Sequence, residues 1–513
     1  MRHRNARHPT ALLLSGILAA QAATTALRAQ DTNTVELIKH LQKRIEELEQ
    51  KVKILEQGQQ SGAATNDLKA TQHIEALDQK VQMLEREKEF QQEADEARAI
   101  QAPKISIGEE GFSFATANGD FALRLGGVLQ VDSRTFFDNP ATDGAGGLLL
   151  RRARPYLQGT VFQDFDFLFV PDFAPTAGPT IFDAFVNYRY SPALQLLAGK
   201  FKVPVGLEQL ILDRNVIFNE RSLATDLVPN RDIGFALHGH LLGGGLRYAA
   251  GIFSGTVDGG NSPNADFADD VAFAGRLFVL PFVRSSVTVL QKFGFGLSGS
   301  YESLSIPNTS GLPSNTGGTL PGYFTDGQEQ FFAYNPADKA VVVASGQHSR
   351  LSPQAYYYVG PFGLMGEYVI SDQEVARTVV APFSSAHLWN TGWEVTGSWV
   401  LTGEEASYNE DVTPRRPFNP VNGTWGALQL VGRYMELNVD PAAFPMFSDP
   451  LTSARSADAW SVGLNWYWNR NILWKVSFSH TWFEGGGGAG TTAPATVTRK
   501  SESVLFTRFQ LAF

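Results

Sequence analysis

The last ten residues, Val504-Leu-Phe-Thr-Arg-Phe-Gln-Leu-Ala-Phe513, are the most informative stretch for the fold class. Side chains alternate across a strand. Leu505, Phe509, Leu511 and the terminal Phe513 therefore share one face, while Arg508 and Gln510 share the other. An apolar outer face, a polar inner face and an aromatic last residue suit the closing strand of a transmembrane β-barrel. A soluble edge strand could carry the same pattern, so the rest of the chain has to decide.

Upstream, Gly, Phe, Trp and Tyr are frequent from Pro103 onward, and sixteen strand candidates follow one another. They lie near 120–134, 150–162, 164–172, 181–190, 193–203, 232–241, 243–254, 270–281, 293–303, 349–359, 362–371, 390–402, 424–437, 456–468, 471–483 and 502–513. Bacterial barrels close with an even number of antiparallel strands, joined alternately by short turns and long loops. Gln163, Ser191-Pro192, Leu242 and Asn469-Arg470 are short connections; 204–231, 255–269, 304–348, 372–389, 438–455 and 484–501 are long ones. The connection 403–423 breaks the alternation, being long where a turn is due. In the first strand Phe121, Leu123, Leu125, Leu129 and Val131 face lipid, and Arg124, Gln130 and Asp132 face inward. Trp460, Trp466, Trp468, Trp474 and Trp482 all fall on the lipid side near one rim or the other, as aromatic girdles require.

The N-terminal part differs in kind. Arg2, Arg4 and Arg7, the apolar run Ala11–Ala20 and the small residues around Ala22 read as a cleaved secretory signal within residues 1–29. Residues 30–102 read as a periplasmic coiled-coil segment. Ile38, Leu41, Ile45, Leu48, Val52 and Leu55 keep heptad spacing, and Ile74, Leu77, Val81 and Leu84 resume it. The seam does not choose between dimer and trimer. The chain has no cysteine, which excludes disulfides and thiolate metal sites. Beyond the N-terminus no apolar run is long enough for a transmembrane helix. The expected architecture is thus an all-β transmembrane barrel of about sixteen antiparallel strands over 103–513, preceded by an α-helical coiled coil.

Several pieces of the barrel region resemble a known family. Arg151-Arg-Ala-Arg-Pro-Tyr-Leu-Gln-Gly-Thr160 with Asp164-Phe-Asp-Phe167, and Leu197-Ala-Gly-Lys-Phe-Lys-Val-Pro-Val-Gly-Leu-Glu208, are similar to the phosphate- and polyphosphate-selective porins of Gram-negative outer membranes. Glu220-Arg221, Pro229–Gly234, Gly360–Tyr368, Leu401–Glu404, Gly426–Tyr434 and Gly463–Tyr467 follow in family order. The resemblance implies passive diffusion of small anions such as phosphate through a water-filled, commonly trimeric barrel in the outer membrane. It also implies a third loop folded inward. Some members carry an N-terminal coiled coil, which fits three-fold symmetry.

An oxyanion path needs fixed positive charge, and arginine offers a planar two-bond fork where lysine offers a point charge. Parity places Arg124, Arg152, Arg154, Arg189, Lys200, Lys202, Arg247, Arg276, Arg433 and Arg508 in the lumen. The loop 204–231 adds Arg214, Arg221 and Arg231. Any water-filled barrel keeps its charges inside, so these are candidates and not assignments. Glu208, Asp213, Glu220, Asp226 and Asp232 accompany the loop arginines and could neutralise them. From 103 onward 28 Lys and Arg stand against 37 Asp and Glu, so the chain carries no overtly basic pore. Phe218, Tyr323, Phe331 and Phe332 could serve neutral or organic solutes, or packing. The 403–423 stretch, with Arg415-Arg416, could reach into the periplasmic mouth. No catalytic constellation, cofactor or metal site is expected: the Gly485–Gly490 run lacks a phosphate loop's lysine and helix, and His238 and His240 lack a third ligand. The expected partners are a lipid bilayer, two further copies of the chain and, through the coil, the cell wall or a periplasmic protein; no nucleic acid is expected.

Overall fold

The computed structural model describes residues 67–109, 111–137, 146–175, 178–264, 271–304, 320–378, 382, 384–486 and 500–513, with a few helical positions between 43 and 53. The signal segment and most of the first heptad run lie outside the described residues. The chain divides into two compact units, Met1–Ala99 and Ile100–Phe513.

In the first unit one helix, α1 (Asp67–Gln101), stops two residues before Pro103. Ile74, Leu77, Val81 and Leu84 are all exposed along it. Among the described residues α1 thus carries an uncovered apolar seam, and no coiled coil is seen.

The second unit is a closed antiparallel barrel of sixteen strands. They are β1 (Phe121–Phe136), β2 (Gly147–Val161), β3 (Phe165–Asp172), β4 (Thr180–Ser191), β5 (Leu194–Lys202), β6 (Arg231–Leu241), β7 (Leu246–Phe253) and β8 (Ala272–Val279), then β9 (Phe293–Leu304), β10 (Val341–Val359), β11 (Phe362–Thr378), β12 (Ser384–Val400), β13 (Ala427–Asn438), β14 (Ala454–Tyr467), β15 (Ile472–Gly485) and β16 (Ser501–Ala512). Each pairs with the next, and β16 closes on β1 from Val504↔Phe136 to Ala512↔Val128. The last residue is clamped there: Phe513 and Gly127 exchange both backbone hydrogen bonds, and the Tyr156 hydroxyl donates to the Phe513 carbonyl at 2.6 Å. A Cβ at Gly126 would collide with that carbonyl and with the Tyr156 ring, so only glycine fits.

Parity holds along the closing strand. Leu505 and Phe509 are exposed outside, while Arg508 and Gln510 are buried inside. Three strands are longer than expected: β10 starts at Val341, β11 runs on to Thr378 and β12 starts at Ser384. Strands β11 and β12 thus take up most of the stretch expected as a loop over 372–389. Two small hairpins were missed, Lys104–Gly108 with Gly111–Ala115 and Gly322–Phe324 with Gln330–Ala333.

The lumen is filled from several directions. Loop 203–230 leaves β5 and crosses to the opposite wall. The Gly206 amide donates to Ser298 at 3.0 Å, and the amides of Leu207 and Glu208 donate to the Glu367 carboxylate at 2.7 and 2.9 Å. Further along, Asn465 donates to the Ile217 carbonyl at 2.9 Å and Gln510 to that of Arg214 at 3.0 Å. Its apolar side, Leu223, Ala224 and Leu227, is fully buried in one core with Val369, Met435 and the hairpin residues Tyr323, Phe331 and Phe332. These three aromatics and Phe218 are thus packing residues and offer no open solute-binding face.

Candidate functional site

Two β-bulges build the site. Between β1 and β2 the register passes from Gln130↔Arg152 to Val131↔Leu150, leaving Arg151 unpaired. Between β3 and β4 it passes from Val170↔Asp183 to Pro171↔Ile181, leaving Phe182 unpaired. A bulge re-aims the residue it carries. Arg151 reaches the inward loop, and Phe182 lies between two guanidiniums, with Arg154 and Arg231 each 3.4 Å from its ring centroid. Cation–π contact holds both cations in place without neutralising either.

Two carboxylates of loop 203–230 organise the cations. Asp213 pairs with Arg154, with Arg221 at 2.6 Å, with Arg231 at 3.6 Å and with Arg152 at 3.8 Å. Arg154 also holds Asp172 at 2.6 Å, and Arg231 holds Asp183 at 2.9 Å. Glu220 accepts from Arg151 at 2.6 and 2.9 Å and faces Arg508 at 3.3 Å and Arg134 at 3.6 Å; Arg508 grips Asp132 through two bonds of 2.7 Å. Burial by itself raises a carboxyl. The guanidiniums of Arg221, Arg154, Arg231 and Arg152 override it and hold Asp213 well below the usual carboxylate range. Burial is likewise outweighed at Glu220, chiefly by Arg151 and then Arg508, so this carboxyl is depressed too.

Both hubs therefore stay ionised, and the charges can be counted. Among the described residues seven arginines (134, 151, 152, 154, 221, 231 and 508) face five carboxylates (Asp132, Asp172, Asp183, Asp213 and Glu220) in these pairs. Lys202 donates to the carbonyls of Gln209 at 2.7 Å and Ile211 at 2.5 Å beside the cluster. The feared neutralisation is real pair by pair, yet the cluster as a whole stays positive. Where such groups lie behind low-dielectric walls, a small surplus acts strongly on passing ions.

The other expected positions lie elsewhere. Arg433 sits between Glu208 at 3.2 Å and Asp326 at 3.0 Å. Arg276 donates twice to Gln354 and covers the Phe278 ring. Lys200 donates to the Ser262 carbonyl at 2.6 Å and to Asn264 at 3.1 Å. Arg214 contributes its carbonyl to Gln510, and Arg124 pairs across β1 and β2 with Gln158. Arg189, exposed, pairs with the half-buried Asp166 at 2.9 Å.

The long connection 401–426 does reach inward, but with a different part than Arg415-Arg416. Those two arginines stay exposed, and Arg415 donates to the nearby Gly403 carbonyl at 2.6 Å. Ala406 and Val412 are buried against Leu207, Ile211 and Val216 of loop 203–230. The Tyr408 hydroxyl donates to the Leu207 carbonyl at 2.6 Å, and the Leu212 amide donates to Asn409 at 2.8 Å. Tyr408 also stacks on Tyr356 at 4.8 Å, and Tyr356 on Phe278 at 4.9 Å. A segment from one rim thus props the loop that descends from the other.

Residues 123–513 match the family model described as phosphate-selective porin O and P. Among solved structures, the chain is similar to an anion-selective porin from Comamonas acidovorans, at 11% identity and TM-score 0.44, covering 77% of this chain and 100% of that one. It is also similar to the outer membrane channel DcaP of Acinetobacter baumannii, at 10% identity and TM-score 0.45, covering 77% and 97%. A third is the trimer form of OmpT from Vibrio cholerae, at 9% identity and TM-score 0.43, covering 77% and 99%. No curated protein sequence matches the chain.

Proposed function

The chain belongs to the phosphate-selective porin O and P family, and on that premise we propose that it is an outer-membrane channel passing small anions, phosphate among them, by diffusion. The carrying observation is the arginine surplus gathered around Asp213 and Glu220 where loop 203–230 meets β1, β2 and β16. In this reading that loop forms the constriction. Rings of arginine select anions in pores, and guanidinium forks replace the water that an oxyanion gives up there. Arg151, a quarter exposed, is the most open cluster member and the one best placed to touch a passing ion, with Arg134 and Arg221 next.

The active unit is a homotrimer in this reading. Strands β3, β5, β7 and β8 have only eight or nine residues. At about 3.3 Å per residue and a tilt near 45° they rise only about 20 Å, short of an apolar band of about 25 Å. A wall too low for lipid is relieved when neighbouring protomers cover it. The exposed seam of α1 adds a second oligomerising surface, on the periplasmic side of the membrane once the signal is removed.

Reversal potential and single-channel conductance in a planar bilayer test the reading. Chloride should be preferred to potassium, and added phosphate should reduce the chloride current. Arg221→Gln, which removes one cation of the surplus, should lower the anion preference. Preference for cations in the native protein would refute the assignment.

A further inference from the structure

At the long-loop end of β2–β5 lies a cavity of about 750 Å³ that shares Arg151 and Arg154 with the cluster. Its remaining lining does not suit a hydrated inorganic ion. Leu148 and Leu149 form one side and Ile181 and Phe182 another. Lys200 supplies its third cation, and among the described residues that ammonium donates to uncharged oxygens of Ser262 and Asn264. Among the described lining residues the carboxylate is Asp172, which is engaged by Arg154 at 2.6 Å.

Chloride and phosphate gain nothing from aliphatic and aromatic walls. Cavities of roughly 300–1,000 Å³ with mostly apolar lining and a few convergent polar groups hold small organic molecules. We propose that this cavity is a binding subsite for amphipathic organic anions, a carboxylate borne on an aromatic or aliphatic body. The carboxylate meets Lys200 and the outer edges of Arg151 and Arg154, and the body lies against Leu148, Leu149 and Ile181. Arg154 belongs to both cavity and cluster, so an anion leaving the subsite moves directly onto the Asp213 arginines. The proposal rests on the anion-channel reading and names a cargo class within it.

Acetate and benzoate share a headgroup and a charge and differ in the body, so they isolate the apolar contribution. Each is added on the long-loop side of the full-length channel in a bilayer, and block of the chloride current is titrated. Benzoate should block at about tenfold lower concentration than acetate, the factor expected from burying part of a phenyl ring. The rim substitutions Leu148→Ser with Leu149→Ser should bring that ratio toward one. Lys200→Gln should weaken both acids and leave their ratio intact. Equal block by the two acids, or a ratio unmoved by the leucine substitutions, overturns the subsite while the reversal potential still reports an anion channel. A cation-selective reversal potential instead removes the reading beneath it.

Discussion

Glu220 is one carboxylate shared by three guanidiniums, and it stands inside the lumen on a loop with no sheet to hold it. Glu220→Gln keeps the shape and removes the charge. Breaking a buried pair costs about 3 kcal/mol or more, because the partners stay behind unpaired. The variant should therefore unfold at lower temperature in detergent, yet its anion preference should rise, since the local surplus grows by one. A second residue on the same loop titrates in the opposite sense. Burial pushes the Asp226 carboxyl up to about 8, with Asp326 and Asp258 adding to it, although the Phe324 amide donates to it at 2.7 Å. A carboxyl raised in the fold above its usual 3.8 binds its proton more tightly when folded. Its contribution is therefore full in acid and is lost as pH climbs through about 8. Thermal stability in detergent should fall as pH climbs toward that value, and Asp226→Asn should remove this part of the pH dependence. Parity found Arg152, Arg154 and Arg508 but passed over Arg151 and Phe182, because a bulge suspends the two-residue period. Arg151-Arg152 did carry a signal: two adjacent arginines in a membrane strand cannot both avoid lipid unless the strand bulges.

Between residue and barrel stand the inserted segments, and these were the least legible. The strands announced themselves because lipid on one face and water on the other impose alternation. Above the membrane that pressure ends, so the outer extensions of β10, β11 and β12 carry no such pattern and their ends were misplaced. The inward course of loop 203–230 came from the resemblance alone, since its apolar residues pack irregularly against three different walls. Segment 401–426 was visible as an anomaly of length, and its buried contacts show why the length is kept. Removing 405–413 takes away Ala406, Tyr408, Asn409 and Val412 together, and with them the bonds to Leu207 and Leu212. Open-channel conductance should rise and its noise should increase as loop 203–230 loses its prop. Unchanged conductance and noise in the deletion would mean that the segment only fills space. Tyr408→Phe, which removes the hydroxyl bond and keeps the stack, should raise noise with little change in mean conductance.

At the scale of the whole molecule the two units answer to different physics. The barrel closes on itself strand by strand, and many of its interior polar groups are bonded to the inserted loops. The α1 helix has no such closure. Its apolar seam lies open to water over Ile74, Leu77, Val81 and Leu84, and a lone helix gains little from propensity. Burying that seam against two further copies would stabilise both the helix and the trimer. Deleting residues 31–102 should therefore leave single-channel conductance and ion preference unaltered, because every residue of the arginine cluster belongs to the other unit. The proposed trimer should fall apart at a lower temperature in detergent. If the truncated trimer is as heat-stable as the native one, the seam serves another partner. Loss of co-sedimentation with isolated cell wall would then point to tethering as its role.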